Sequence, residues 1–289
     1  MVNVTPNVWQ ADCHLLEFPD GTNVLIDVAE AKDVPPIAIP YLRQRGIRHI
    51  DLVLISHCHW DHYGRLRELL ESGITVGRVA INVPASREIA DREIPWGLDW
   101  DHLQALLAFL REKNIAMFTP KAGDVLLNLR DASGAAIKLE VLAAYDGVHT
   151  PIGMTTVNDT SVIVRLTHGS VRALFTGDLD ARLGTWIAGN DHSLDLAADI
   201  LKAPHHGGES HPPNTFYDRV APVVALVPMS AELWAGTRCV RMRAYLSDHQ
   251  IPTFVTGVDG TVTIRLTPHA FYVSTERGGP ETKYLPRSR

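Results

Sequence analysis

The stretch Ile50-Asp51-Leu52-Val53-Leu54-Ile55-Ser56-His57-Cys58-His59-Trp60-Asp61-His62 decides the reading of this chain. It opens with an apolar run of strand length that lacks alternation, the pattern of a strand buried on both faces. Four side chains able to ligate a metal, His57, His59, Asp61 and His62, follow within six residues. Alternate residues of an extended strand end share a face, so His57 and His59 can grip one ion. A turn at Asp61-His62 can point two more ligands at a second ion. Imidazole and carboxylate suit zinc, and they also accept manganese or iron. The competing reading, a surface histidine cluster, fits poorly directly behind a buried strand. By the same alternation Cys58 faces away, into the core.

Two more polar clusters sit behind apolar strands. Ala173-Leu174-Phe175-Thr176-Gly177-Asp178 ends on a lone carboxylate. Taken with the histidines, Asp178 is a candidate bridge between two cations held about 3.5–4 Å apart. Lys202-Ala203-Pro204-His205-His206-Gly207-Gly208 ends another strand on a histidine pair, which offers one ligand and one acid or supporting group. All three clusters fall on loops at one rim of the sheets, where catalytic groups gather.

Working outward, residues 12–18 and 22–28 form a hairpin turned at Pro19-Asp20-Gly21. Helices are expected at 36–45, 65–72, 99–113 and 238–248. Further strands are expected at 76–83, 125–129, 137–143, 161–166, 171–175, 199–203, 222–227, 252–256 and 261–266. Meandering strands with helices between them predict an α/β fold of two packed sheets with helices outside. Residues 1–275 read as a single hydrolase domain and 276–289 as a flexible polar tail.

The chain has 289 residues, 45% of them hydrophobic and 21% charged. A chain this long buries enough surface to fold without disulfides or a structural metal, so a metal here points to chemistry. Net charge is −6, and there is no basic face of the kind that holds long nucleic acid. Arg43, Arg45, Arg48, Arg238, Arg241 and Arg243 read as solvated helix faces. Cys13, Cys58 and Cys239 are too scattered for a disulfide framework. No basic segment leads into an apolar run, and no apolar run reaches 18 residues. The expectation is a cytoplasmic protein with no membrane partner, with self-association left open.

The pattern His-x-His-x-Asp-His, then Gly-Asp, then His-His-Gly resembles the metallo-β-lactamase superfamily. It is closest to the branch of the ComEC-type hydrolase domain and the phosphorylcholine esterases. The run from Gln10-Ala11-Asp12 to Gly21, followed by Val24-Leu25-Ile26-Asp27, resembles that branch's opening hairpin. Val157-Asn158-Asp159-Thr160-Ser161 resembles its approach to the bridging aspartate, and Phe254 to Leu266 its closing hairpin. The resemblance implies a four-layer αββα sandwich with two divalent cations, zinc foremost, at one edge. It assigns His57 and His59 to one ion, Asp61 and His62 to the other, Asp178 to the bridge and His206 to the last ligand position. His205 would face the scissile group as proton donor, Asp180 would shape the substrate end, and Asp27 would orient the histidine loop. Asn158 stands where many members have a third histidine. His211 is near enough in sequence to touch substrate.

The expected activity is hydrolysis by a metal-bridging hydroxide, with Asp61, Asp178 and His205 as catalytic groups. The substrate expected first is a phosphodiester: a small molecule, a nucleotide, a phosphorylated headgroup or a short nucleic acid. The alternatives are hydrolysis of a carboxylic ester, lactone, thioester or β-lactam, or a non-catalytic scaffold.

Overall fold

The computed structural model describes residues 2–5, 11–29, 36–92 and 98–289; Gln10 of the opening motif lies outside them. The strands are β1 (Val2–Thr5), β2 (Cys13–Glu17), β3 (Asn23–Val28), β4 (His49–Ile55), β5 (Thr75–Ile81) and β6 (Ala116–Phe118). They continue as β7 (Val125–Arg130), β8 (Ala136–Ala143), β9 (Ile163–His168), β10 (Val171–Phe175) and β11 (Ile200–Lys202). The last are β12 (Val224–Val227), β13 (Thr253–Val255), β14 (Val262–Leu266), β15 (Phe271–Thr275) and β16 (Thr282–Tyr284). Nine of them form one sheet in the order β16-β15-β14-β1-β2-β3-β4-β5-β6, and seven a second, β13-β12-β11-β10-β9-β8-β7.

The unbroken apolar run of β4 is explained by what covers its two faces. Leu52 and Leu54 point between the sheets, where they join Val24 and Ile26 and meet Val164, Leu166, Ala173 and Phe175 of the second sheet. Val53 and Ile55 point outward, under Leu66, Leu69, Leu103 and Leu110 of the helices 66–71 and 100–112. On the far side, Leu174 and Leu201 pack beneath Leu183, Ile187, Phe216 and Met242. Helix, sheet, sheet and helix are therefore stacked around three apolar interfaces, the αββα arrangement. Each aliphatic side chain buried this fully stabilises the fold by about 1.5–3 kcal/mol.

Parallel pairing governs where loops collect. β3 to β6 pair in parallel, and so do β10 to β13. Their carboxyl ends share one rim, the usual ligand edge of such sheets. Asp27, the residues after Ile55, those after Phe175 and those after Lys202 all emerge there. Val162 N–H donates to the Ser56 carbonyl at 2.9 Å and joins the two halves at that rim.

Three expectations need correction. Phe254 to Leu266 is not a hairpin, because β13 belongs to the second sheet and β14 to the first; the closing hairpin is β14–β15. A single helical turn, Thr256–Asp259, carries the chain across, fixed by Val255 N–H donating to Asp259 Oδ2 at 2.7 Å. Residues 276–289 are not a free tail. They supply β16, Tyr284 stacks on Phe271, and Arg289 pairs with the buried Asp199 at 2.9 Å. The arginines of the helix 240–248 are not merely solvated. Arg241 spans to Pro212 O and His211 Nδ1 at 2.9 Å each, and Arg243 holds the carbonyls of Trp234 and Gly236.

Candidate metal centre

Ser56 ends β4, and the chain bends through His57, Cys58 and His59 into one helical turn, Trp60–Tyr63. This turn swings Asp61 and His62 back over the strand end, and Asp12 N–H holds it by donating to the Asp61 carbonyl at 3.0 Å. His57 and His62 lie side by side with ring centroids 4.0 Å apart, and His57 Nε2 is 3.0 Å from His59 Nδ1. Cys58 is buried on the opposite side, with its thiol toward the Asn82 carbonyl at 3.5 Å. Trp60 packs on Tyr63 and His102.

Asp178 reaches the same spot from the second sheet. Glycine is required before it: Gly177 has φ +50°, and a Cβ there would lie 2.6 Å from Ser161 Oγ. Asp178 N–H donates to that hydroxyl at 2.8 Å, which fixes the direction of the carboxylate. Its Oδ1 is 3.3 Å from His62 Nε2 and its Oδ2 3.2 Å from His206 Nε2. His206 Nε2 is also 3.3 Å from Asp61 Oδ2. One ligand atom from each of Asp61, His62, Asp178 and His206 falls within 4.8 Å of the others. His205 and His206 both adopt left-handed backbone, φ 50° and 52°, and the rings of both face Asp178 Oδ2. His206 points inward, and His205, 21% exposed, stands 4.0 Å from Asp178 Oδ2.

Behind these side chains lies a layer of carboxylates. Asp27 accepts from Ser56 N–H at 2.7 Å and from Ser56 Oγ at 2.8 Å, and it faces His62 Nδ1 at 2.8 Å. This fixes the far nitrogen of His62 and leaves Nε2 for the centre, the usual support of a ligating histidine. Asp12 faces the far nitrogen of His206 in the same way, Oδ1 to Nδ1 at 3.3 Å. Lys202 Nζ lies 2.5 Å from Asp12 Oδ2 and 3.1 Å from Asp178 Oδ1, and it donates to the Gly177 carbonyl at 2.7 Å. The sequence reading gave no role to Asp12, Ser56, Ser161 or Lys202. One signal was available for Lys202, a charge inside an otherwise apolar strand.

The electrostatics follow from this crowding. Burial opposes ionisation of both carboxylates, yet His206, His62 and Lys202 outweigh it at Asp178, and Lys202, His206 and His14 at Asp12, holding both well below the usual carboxylate range. Burial would depress His62, but Asp178, Asp27 and Asp61 push it up to about 10. His206 is raised by Asp178 and Asp12 against the same burial. His57 is lowered, first by burial and then by His62 and His59. Burial lowers His205 as well, so its ring is neutral near pH 7. The carboxylates draw positive charge to one point.

These residues fit divalent cations. The donors are imidazole nitrogens and carboxylate oxygens, the set that suits zinc. Buried His62 Nε2 and His206 Nε2 have no hydrogen-bond partner among the described residues, though both face carboxylates. The convergent set leaves out His57 and His59, which stand beside His62 and each other, and also Asn158, Asp180 and His211. Asn158 is buried with Oδ1 unpartnered among the described residues. Asp180 caps the helix 181–190 by accepting from Ala181 N–H and receives the Thr156 hydroxyl at 3.3 Å. His211 is buried, with Nδ1 facing Tyr217 Oη at 2.6 Å and Arg241 at 2.9 Å.

Residues 6–211 match the metallo-beta-lactamase superfamily. The chain is 24% identical over 233 residues to ComE operon protein 3 of Bacillus subtilis (strain 168), a match covering 79% of this chain and 26% of that protein. It thus spans about a quarter of that relative's length. A variant of the CmlA beta-hydroxylase is similar in structure, with a TM-score of 0.52 at 16% identity over 91% of this chain and 54% of that one. Unliganded yeast PDE1 gives a TM-score of 0.49 at 11% identity, over 92% of this chain and 99% of that one. The family match spans well over half of the sequence and takes in every loop of the cluster: this chain belongs to the metallo-beta-lactamase superfamily of metal-dependent hydrolases.

Proposed function

We propose that this centre holds two divalent cations, zinc suiting it best, and hydrolyses a phosphodiester. His57 and His59 would hold one cation and Asp61, His62 and His206 the other, with Asp178 between them. Asp12, Asp27, Asp61 and Asp178 are four carboxylates against one ammonium, Lys202, which leaves three negative charges for two divalent cations and a hydroxide to balance; this supports the cations. The phosphodiester rests on the resemblance of the motifs to the ComEC-type and phosphorylcholine-esterase branch, since the cations would polarise an ester carbonyl as well. By the resemblance Asn158 stands where many members have a third histidine, which would leave one cation a protein ligand short.

When bound, the cations would lower the pKa of water from 15.7 towards ~7 and draw charge from the reacting centre. Asp61, 29% exposed and 3.3 Å from His206 Nε2, would orient the attacking water. His205 offers its N–H to the leaving oxygen. The net charge of −6 favours a nucleotide, a phosphorylated headgroup or a short nucleic acid over long duplex.

The test is a panel of bis(p-nitrophenyl) phosphate, a lactone and nitrocefin, assayed after chelation and after reconstitution with zinc or manganese. Phosphodiester turnover that disappears with chelation and returns with metal is expected. Preference for the lactone or nitrocefin would select acyl hydrolysis by the same residues. Absence of both bound metal and turnover would select a scaffold. Asp178→Ala should lose most activity and bound metal; a fully active variant would refute the bridging role.

A further inference from the structure

Lys202 ends β11 with its side chain 1% exposed. An ammonium taken out of water costs several kcal/mol unless it is paired. Its three protons meet three acceptors here: Asp12 Oδ2 at 2.5 Å, Gly177 O at 2.7 Å and Asp178 Oδ1 at 3.1 Å. No substrate can reach a group so enclosed. Two of those acceptors act on the centre itself. Asp178 is the carboxylate between His62 and His206, and Asp12 turns its other oxygen to His206 Nδ1 at 3.3 Å. One ammonium therefore grips a carboxylate of the centre directly and an imidazole of the centre through Asp12.

We propose that Lys202 is a positioning residue of the cation centre, aligning Asp178 and His206 for the ion they share. The inference rests on the reading of this cluster as a cation site. A positive charge beside such a site also repels the incoming ion. Close pairing with Asp12 turns Lys202 into one end of a short dipole, so alignment outweighs repulsion. Its removal should weaken cation binding, whereas pure repulsion would make binding tighter.

The experiment compares the parent, Lys202→Met and the double variant Asp12→Asn/Lys202→Met. Zinc affinity is measured by competition with a chromogenic chelator, and melting temperature is measured on metal-free protein. Lys202→Met should bind zinc about 10–100-fold more weakly, the usual cost of losing a group that supports a ligand. It should also melt lower, because the buried Asp12 and Asp178 lose the ammonium they share. The double variant removes both charges, so it should regain stability while its zinc affinity stays low. Should Lys202→Met fail to fold, the double variant is read against Asp12→Asn alone, and equal zinc affinity in those two would overturn the proposal. Zinc affinity equal to or tighter than the parent's in either variant, or affinity that recovers together with melting temperature, would overturn the proposal. A parent that binds no cation would sink the reading of the site and this inference with it.

Discussion

The two loops that carry the histidines solve the same problem differently. The 57–62 loop places its groups by adjacency, on an ordinary backbone; His59 has φ −87° and ψ 152°. The left-handed residue that serves it, Asp27 (φ 57°), lies on the neighbouring strand. The 205–208 loop instead holds consecutive left-handed residues, His205, His206 and then Gly207 at φ 80°. For residues with a Cβ this conformation costs roughly 1–2 kcal/mol each. It persists because its surroundings enforce it: His205 N–H donates to Gly177 O, Gly208 N–H to His205 O, and Asp12 faces His206. Just after it in sequence, His211 and Pro212 are clasped by Arg241. One loop is arranged by sequence and the other by constraint, so the second should be the more sensitive to changes made at a distance.

Acid should expose that sensitivity most. His211 Nδ1 lies among Arg241, Tyr217 Oη and the Pro212 carbonyl, and burial together with the Arg241 charge disfavours a protonated ring. Burial first, and then Arg241, lower its pKa to about 4. The folded value lies below the unfolded value of about 6.5, so this contribution is complete above pH ~6.5 and is lost as pH falls toward 4. It amounts to about 3 kcal/mol. Urea unfolding of chelated protein from pH 7 to 4 should show His211→Gln with a shallower loss than the parent; parallel curves would remove His211 from the constraint.

A smaller effect tests the other loop. Asp27→Ala should weaken zinc binding about 10–100-fold through the lost support of His62, read by chelator competition. Unchanged affinity would mean that the 57–62 loop needs no help from its neighbour. Smallest is Gly207→Ala, whose Cβ would meet the Trp234 ring at 3.2 Å in left-handed backbone. It should cost about 1–2 kcal/mol, seen as a melting point lower by a few degrees; no shift would show the loop to be less constrained than described.

The same contrast explains what the sequence made visible. The 57–62 cluster and β4 were legible because candidate ligands and buried strand are contiguous. Asp178 was legible only beside those histidines, because a Gly-Asp turn after an apolar strand is common. Asp12 and Lys202 acquire meaning only from each other, across most of the chain. The β13–β14 crossing was misread because two strands near in sequence look alike whether or not they share a sheet. The 276–289 segment was misread because β16 is held by ladder pairing and by Arg289 on Asp199, which polar composition does not reveal.

Cys58 sits between two histidines of the centre, yet its thiol is fully buried and burial pushes its ionisation up. A thiol so protected reacts with an alkylating reagent only when the loop lifts from the core. The rate at which Cys58 becomes labelled is therefore a clock for the opening of the 57–62 loop, and occupancy of the centre by a cation should slow that clock.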